Sequence, residues 1–115
     1  MDNIKFFKSL ADDTRLRCVL LIHQEKELCV CELTEALDTI QPKISRHLAQ
    51  LRSSGVLLDR RQGQWIFYQI HPELPQWAKD VIEHTYQNSK EYIATSSSRL
   101  KIMGERPNRQ ASVCC

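Results

Sequence analysis

The chain has 115 residues, 42% of them hydrophobic and 26% charged, and this ordinary globular composition fits one domain with one modest core. The formal net charge of +2 is too small to indicate a polyanionic partner by itself, so the placement of the charges has to carry that argument. No apolar run approaches the roughly 20 residues that cross a bilayer, which excludes a membrane-spanning class and predicts no membrane partner.

The cysteine content indicates the compartment. Five cysteines are an odd number, and the chain opens without a basic segment or an apolar signal core. We therefore expect a cytoplasmic protein whose thiols stay reduced and are used for packing, metal binding or redox sensing.

Apolar residues recur at helical spacing through the first half of the chain. Ile4, Phe7 and Leu10 predict a first helix. Asp12 is suited to N-cap the second helix, and Gly55 is suited to end the fourth. The four predicted helices cover about residues 3–10, 13–22, 30–37 and 41–53.

The second half begins with two predicted strands, residues 56–60 and 65–70, because both segments are rich in apolar, β-branched or aromatic residues. The polar link 61–64 contains Gly63 and predicts a hairpin. A fifth helix is expected to open near Pro72 and Pro75 and to reach Ile93. The polar remainder is expected to be flexible, so the chain divides into a domain, 1–93, and a tail, 94–115, which ends in Cys114-Cys115.

A helix, a short turn, a second helix and a hairpin follow one another in the order of a winged helix-turn-helix, in a mainly α fold. With Ile44 and Leu48 facing inward, the polar and basic residues of the fourth helix are left to meet base edges in a major groove. Basic residues of the hairpin would meet phosphate. The alternative is a solvated helix beside a surface hairpin. The expected DNA-binding residues are Gln41, Pro42, Lys43, Ser45, Arg46, His47, Arg52, Arg60, Arg61, Gln62 and Gln64.

The segments Leu-Cys-Val-Cys-Glu-Leu at 28–33 and Gln-Pro-Lys-Ile-Ser-Arg-His-Leu at 41–48, with Leu51-Arg52 and Gly55, resemble the ArsR/SmtB repressors. The resemblance runs from about Phe7 to Tyr86 and is strongest to the arsenical-resistance branch. It implies a homodimer joined through the first and last helices, a palindromic operator, release from DNA on effector binding, and no cofactor for DNA binding itself. Many members have Ser at the position of Ile40, so the cap of the fourth helix is expected from Thr39 or Gln41.

Cys29 and Glu32 have the spacing of a capping box at the start of the third helix, which places Cys29 at the N-cap and Cys31 in the first turn. Because a helix N-terminus favours anions, we expect a low thiol pKa at both cysteines. Thiolates select soft ions, and trivalent arsenic and antimony belong to that class. Residues two apart on an ideal helix point about 200° from each other. If Cys29 and Cys31 bind the same ion, we therefore expect the start of the third helix to unwind.

Several interpretations of the cysteines stay open. The related repressors often have a third cysteine where this chain has Thr34, so a third ligand is left to Cys114 or Cys115, to a small thiol, or to none. Cys18 is expected to pack. Cys29 and Cys31 could instead be packing residues of a constitutive DNA-binding protein, or the ligands of a metalloid carrier. They could also be the sensor of a redox or reactive-sulfur repressor, although a disulfide between residues i and i+2 would be strained.

Other kinds of site are disfavoured. The fifth helix lacks the paired ligand sets of a zinc site. Its polar residues Asp80, Glu83 and His84, and His71 before it, are expected to form a solvated face. There is no Gly-rich phosphate loop and no Ser/His/Asp set, so we do not expect an enzyme. The sequence therefore predicts a repressor of an arsenic-resistance operon that trivalent arsenic or antimony releases from DNA.

Overall fold

The computed structural model describes residues 1–104, which form six α-helices and a three-stranded antiparallel sheet. The predicted mainly α winged helix-turn-helix is confirmed. In chain order the elements are α1 (Asn3–Leu10), α2 (Asp13–Glu25), β1 (Leu28–Cys29), α3 (Val30–Ala36), α4 (Gln41–Ser53), β2 (Leu57–Gln62), β3 (Trp65–Ile70), α5 (Gln76–Gln87) and α6 (Ala94–Met103).

Helix α2 is the centre of the core. Its segment 18–22 is fully buried, because α2 packs against α1, α4, α5 and β3 and therefore has little surface left for solvent. Cys18 lies inside this core as a packing residue, and its burial raises the pKa of the thiol to about 12. Residues 18–22 of α2 therefore belong to the core and not to a surface site.

The helix ends follow local chemistry. Asp12 caps α2 by accepting a hydrogen bond from the Arg15 N–H at 3.0 Å, as predicted. Gly55, with φ of +84°, follows α4 in a conformation that favours glycine. The N-cap of α4 is Ile40, which makes no side-chain cap bond, so neither Thr39 nor Gln41 supplies the expected cap. Pro42 in the first turn lacks an N–H, which leaves one donor fewer to satisfy.

The sheet differs from the predicted hairpin in two ways. Strands β2 and β3 pair from Leu57 opposite Ile70 to Gln62 opposite Trp65, so the link is two residues, 63–64, rather than the predicted four. The unpredicted strand β1 is only two residues long, and Cys29 lies opposite Phe67 of β3. The strand order β1-β3-β2 therefore attaches the cysteine segment directly to the wing.

The C-terminal part is more ordered than the sequence indicates. The predicted fifth helix is interrupted, since α5 ends at Gln87 and not at Ile93. Residues 94–103 form α6 instead of a flexible tail, because Leu100 and Ser96 are buried as α6 packs on α3. The Arg99 guanidinium also donates to the Ala36 carbonyl oxygen at 3.3 Å. Cys114 and Cys115 lie outside the described residues. Within residues 1–104, no helix is both long enough and apolar enough to cross a bilayer.

Candidate functional site

Helix α4 presents the two faces that its sequence predicts. Ile44, Leu48 and Leu51 are fully buried, so they attach the helix to the core. The opposite side faces solvent: Gln41, Pro42 and Arg46 are exposed, and Lys43 and Ser45 are partly exposed. Helix α3 packs against α4 in the order of a helix-turn-helix. The polar N-terminal half of α4 is therefore free to enter a major groove.

His47 is an exception among the predicted DNA contacts. Its side chain is buried, at 7% exposure, and its Nδ1 lies 3.5 Å from Arg15 Nη1 and 3.9 Å from Asp12 Oδ2. Burial lowers the pKa of His47. The imidazole faces inward, toward the start of α2, unlike the exposed side chains of α4, and its assignment to DNA stays a prediction.

The basic residues around the wing differ in how they are held. Arg61, Gln62 and Gln64 are exposed near the hairpin tip, and Arg61 makes no ion pair among the residues that the structure describes. Arg52 Nη1 lies 3.2 Å from Asp59 Oδ2. Arg60 donates two hydrogen bonds of 2.7 Å to the Glu27 carboxylate, and its guanidinium lies over the Phe67 ring. Among these, Arg61 is the cation most available to a phosphate.

Cys29 and Cys31 lie at the junction of β1 and α3. Cys29 is the N-cap of α3, with φ of −93° and ψ of 167°, and its N–H donates to Glu32 Oε1 at 2.8 Å in the predicted capping box. Glu32 is itself fully buried. Cys29 and Cys31 are 1% and 7% exposed and form one small cluster with Phe67, against which Trp65 packs. We call these three residues the cysteine cluster.

This arrangement corrects the predicted divergence of the two cysteine side chains. The angle of about 200° applies to residues that are both helical, whereas Cys29 is extended and precedes the first helical residue. Both side chains therefore reach the same cluster. Thr34 does not extend it with a third ligand, because its hydroxyl donates to the Val30 carbonyl oxygen at 2.8 Å.

The predicted low thiol pKa is also wrong for Cys29. Burial raises the pKa of this thiol to about 11, and the charge of the Glu32 carboxylate raises it further, while backbone N–H groups of Glu32 and Cys31 act in the opposite direction. Desolvation therefore outweighs the effect of the helix N-terminus. At neutral pH Cys29 is a protonated thiol.

The Phe67 ring belongs to the cysteine cluster and also to the wing, the hairpin of β2 and β3. Phe67 lies opposite Cys29 of β1 on one side and opposite Arg60 of β2 on the other. Glu27, two residues before Cys29, holds the same Arg60. The sequence alone does not indicate Glu27 and Phe67, because their roles depend on the pairing of β1 with β3, which it does not predict. Phe67 therefore contacts both the cysteine cluster and Arg60 of the wing.

Acidic and histidine side chains on α5, and just before it, have partners within the protein. Glu83 contacts His23, and His71 Nδ1 accepts a hydrogen bond from the Glu73 N–H at 3.1 Å. Within the described residues, no three His, Cys, Asp or Glu side chains are grouped to hold a metal ion. Cys29 and Cys31 bring two sulfur atoms into the cysteine cluster.

Comparison with known proteins identifies the family. Residues 12–57 match the family described as bacterial regulatory proteins of the arsR family. The chain is 56% identical over 109 residues to the arsenic resistance transcriptional regulator ArsR1 of Pseudomonas putida, covering 95% of this chain and 84% of that protein. This chain belongs to the ArsR family. It is therefore a DNA-binding transcriptional regulator, as the sequence predicts, and not an enzyme.

Two further relatives extend the comparison. The arsenical resistance operon repressor of Escherichia coli is 53% identical over 108 residues, covering 91% of this chain and 92% of that protein. The crystal structure of the antimony-specific repressor AntR superposes with a TM-score of 0.64 at 28% identity, covering 77% of this chain and 78% of that one. The family resemblance and the winged helix-turn-helix fold therefore agree.

Proposed function

We propose that the chain represses an arsenic-resistance operon and leaves its operator when trivalent arsenic or antimony binds Cys29 and Cys31. The observation that carries the proposal is that both cysteines lie in one buried cluster at the start of α3, the first helix of the helix-turn-helix. The relatives named for arsenic resistance and the antimony-specific repressor support the choice of effector.

The chemistry of the two side chains fits a soft ion, since sulfur ligands select such ions. Each thiol that binds arsenite gives its proton to an arsenite hydroxyl, which leaves as water, so an S–As bond and an O–H bond replace an S–H bond and an As–O bond. No separate base has to remove the proton. The high pKa of Cys29 is therefore compatible with binding at neutral pH.

Binding at this position acts on the start of α3. The cysteine cluster is closed, with Cys29 and Cys31 less than a tenth exposed, so an ion bonded to both sulfurs requires the contacts with Phe67 or the N-cap to change. Because α4 packs on α3, a shifted α3 alters how α4 is seated. An effector that prefers the shifted state draws the population toward it and away from DNA.

A dimer on a palindromic operator is part of the same proposal. Ile4 and Phe7 of α1 and Trp77 of α5 are exposed at 63%, 50% and 37%, and the rings of Phe7 and Trp77 lie 6.3 Å apart. A second copy of the chain would cover such a patch, and a two-fold axis would then pair two α4 helices on DNA. We place this regulator in the cytoplasm, where its operator would be, with the metalloid as effector and no cofactor for DNA binding.

The test replaces each cysteine and measures release from DNA. Using an operator selected from a random duplex pool, we expect Cys29→Ser and Cys31→Ser to bind DNA like the wild type but no longer to dissociate with arsenite. Serine keeps an N-cap oxygen, so α3 can still form. Cys18→Ala is the matched control, because it removes a thiol from the core and leaves the cysteine cluster intact; it should keep its arsenite response.

Normal release of both serine variants would contradict the cysteine assignment. Arsenite-dependent release of a variant that lacks residues 112–115 then tests whether Cys114 or Cys115 contributes a sulfur ligand. Release by hydrogen peroxide or a persulfide, without a response to arsenite, would favour the redox or reactive-sulfur alternative.

A further inference from the structure

Helix α1 has three chemically distinct faces within eight residues. Phe6 is fully buried against the core, and Leu10 lies one turn further on. Ile4 and Phe7 form the exposed apolar face described above. Lys5 and Lys8, three residues apart, form a third face that the proposed function does not use.

The lysine face borders a basic groove between α1 and α4. Two adjoining depressions of about 440 and 490 Å³ share Lys5 and Gln50 in their lining. Lys8 and Arg15 line the first, and Arg46 of α4 lines the second. We define the basic groove by these five residues.

Arg15 fixes the shape of the basic groove. Its guanidinium donates to the carbonyl oxygens of Ser9 and Lys8 at 2.8 and 3.2 Å, at the C-terminal end of α1. It also donates to Gln50 Oε1 of α4 at 3.0 Å. One side chain from α2 therefore connects α1 with α4, and Lys5 of α1 lines the same depression as Arg46 of α4.

The charge of the basic groove is not balanced within it. Lys5, Lys8 and Arg46 make no ion pair among residues 1–104. Asp2 is the acidic residue in the lining, and its carboxylate accepts a hydrogen bond from the Ile4 N–H at the start of α1. Four cations, counting Arg15, next to one carboxylate that caps α1 suit a polyanion rather than a neutral ligand.

We propose that the basic groove seats the phosphate backbone of DNA, so that α1 is a third DNA-contacting element beside α4 and the wing. The basic groove reaches α4 at Arg46, an exposed residue of the helix that would enter the major groove of DNA. Phosphates of the DNA backbone flank the major groove on both sides. The inference rests on the proposed DNA binding and extends it to Lys5 and Lys8. Phosphate contacts carry no sequence information, so the effect is the same on any duplex.

The test compares two double variants of equal charge change. Lys5→Ala/Lys8→Ala removes the lysines of the basic groove. Lys90→Ala/Lys101→Ala removes two lysines from a separate groove between α2, α5 and α6, which also contains Glu25. Affinity is measured on the selected operator and on a random-sequence duplex at several salt concentrations, with sedimentation of each variant to record its oligomeric state.

We expect Lys5→Ala/Lys8→Ala to weaken binding to both duplexes alike. The slope of log affinity against log salt should fall by about 1.8 per protomer, since each neutralised phosphate accounts for about 0.9. Lys5→Arg/Lys8→Arg should restore the slope, and Lys90→Ala/Lys101→Ala should leave it unchanged.

Three results would overturn the assignment: an unchanged slope in the Lys5/Lys8 variant, an equally weakened Lys90/Lys101 variant, or a change of oligomeric state that accounts for the weaker binding. Failure of the proposed function is distinguishable, because the wild-type chain would then bind neither duplex. Binding of an acidic peptide by the groove, with no effect on DNA, would also count against a DNA contact.

Discussion

The Cys29 thiol is under opposing influences. It sits at a helix N-terminus, where backbone N–H groups favour the thiolate, yet it is almost fully buried beside the Glu32 carboxylate, and burial decides the outcome. Its folded-state pKa of about 11 exceeds the ordinary value of 9.0. The unfolded chain therefore loses this proton first as the pH rises, so the contribution of Cys29 to stability is complete below pH 9 and declines between pH 9 and 11.

This pKa predicts slow alkylation of Cys29. Only the thiolate reacts with iodoacetamide, so the rate on the folded chain should be low at pH 7 and rise toward pH 11. Glu32→Gln should shift the profile to lower pH, because it removes a negative charge from beside the sulfur. Site-resolved mass spectrometry measures both profiles. Labelling of Cys29 at pH 7 as fast as that of a free small-molecule thiol would contradict the closed cluster.

At the scale of elements, we expect α4 and the wing to contact DNA in different ways. Helix α4 offers Arg46 on its exposed face, whereas Arg61 lies on β2 near the hairpin tip. Side chains of a recognition helix distinguish base edges, and those of a wing mostly neutralise phosphate. The two arginines are therefore expected to fail in different ways.

Arg46→Ala should cost roughly 1–3 kcal/mol on the operator for each base that the guanidinium reads, and less on scrambled DNA. Arg61→Ala should weaken both duplexes similarly and flatten the salt dependence by about 0.9 per protomer. Titrations of both duplexes at several salt concentrations separate these cases. Parallel weakening on the two duplexes for Arg46→Ala would make Arg46 a phosphate-binding residue, in the manner of its neighbours in the basic groove.

The elements with a strong local signal could be predicted from the sequence. Helix α1 and helix α4 have the predicted bounds, because apolar periodicity and a following Gly55 are local features. Strand β1 could not be predicted, since two residues show no period and depend on pairing with β3. Helix α6 was missed for a similar reason: its polar sequence forms a helix against α3, through Leu100 and Ser96.

The candidate site divides in the same way. The capping box of Cys29 and Glu32 is a spacing and was found, whereas the direction of the Cys29 pKa depends on burial, which a short segment does not reveal. His47 has the composition of a DNA contact, and only the packing of α4 on α2 shows that it points inward. The spacing of residues along the sequence therefore predicts local hydrogen bonds well and solvent exposure poorly.

At the scale of the whole molecule, the exposed patch of Ile4, Phe7 and Trp77 is the contact that we propose between two copies of the chain. Ile4→Ser/Phe7→Ser should weaken the dimer, since each buried apolar side chain contributes roughly 1.5–3 kcal/mol. Ile102→Ser is the control, because Ile102 is 85% exposed on α6, outside this patch. Sedimentation over a concentration series measures the change. Dissociation by Ile102→Ser alone would instead place the interface on α6, which replaces α5 as the last described helix.

Because α1 has three different faces, an insertion or deletion in this helix disturbs more contacts than a substitution does. One inserted residue turns everything after it by about 100° around the helix axis. An insertion after Ile4 would turn Lys5 toward the core and Phe6 toward the side that Phe7 now occupies, while Phe7 would move to the lysine side. Conservative replacements at any one position leave the other faces in place. Among descendants of this sequence, α1 should therefore vary by substitution and not by insertion or deletion.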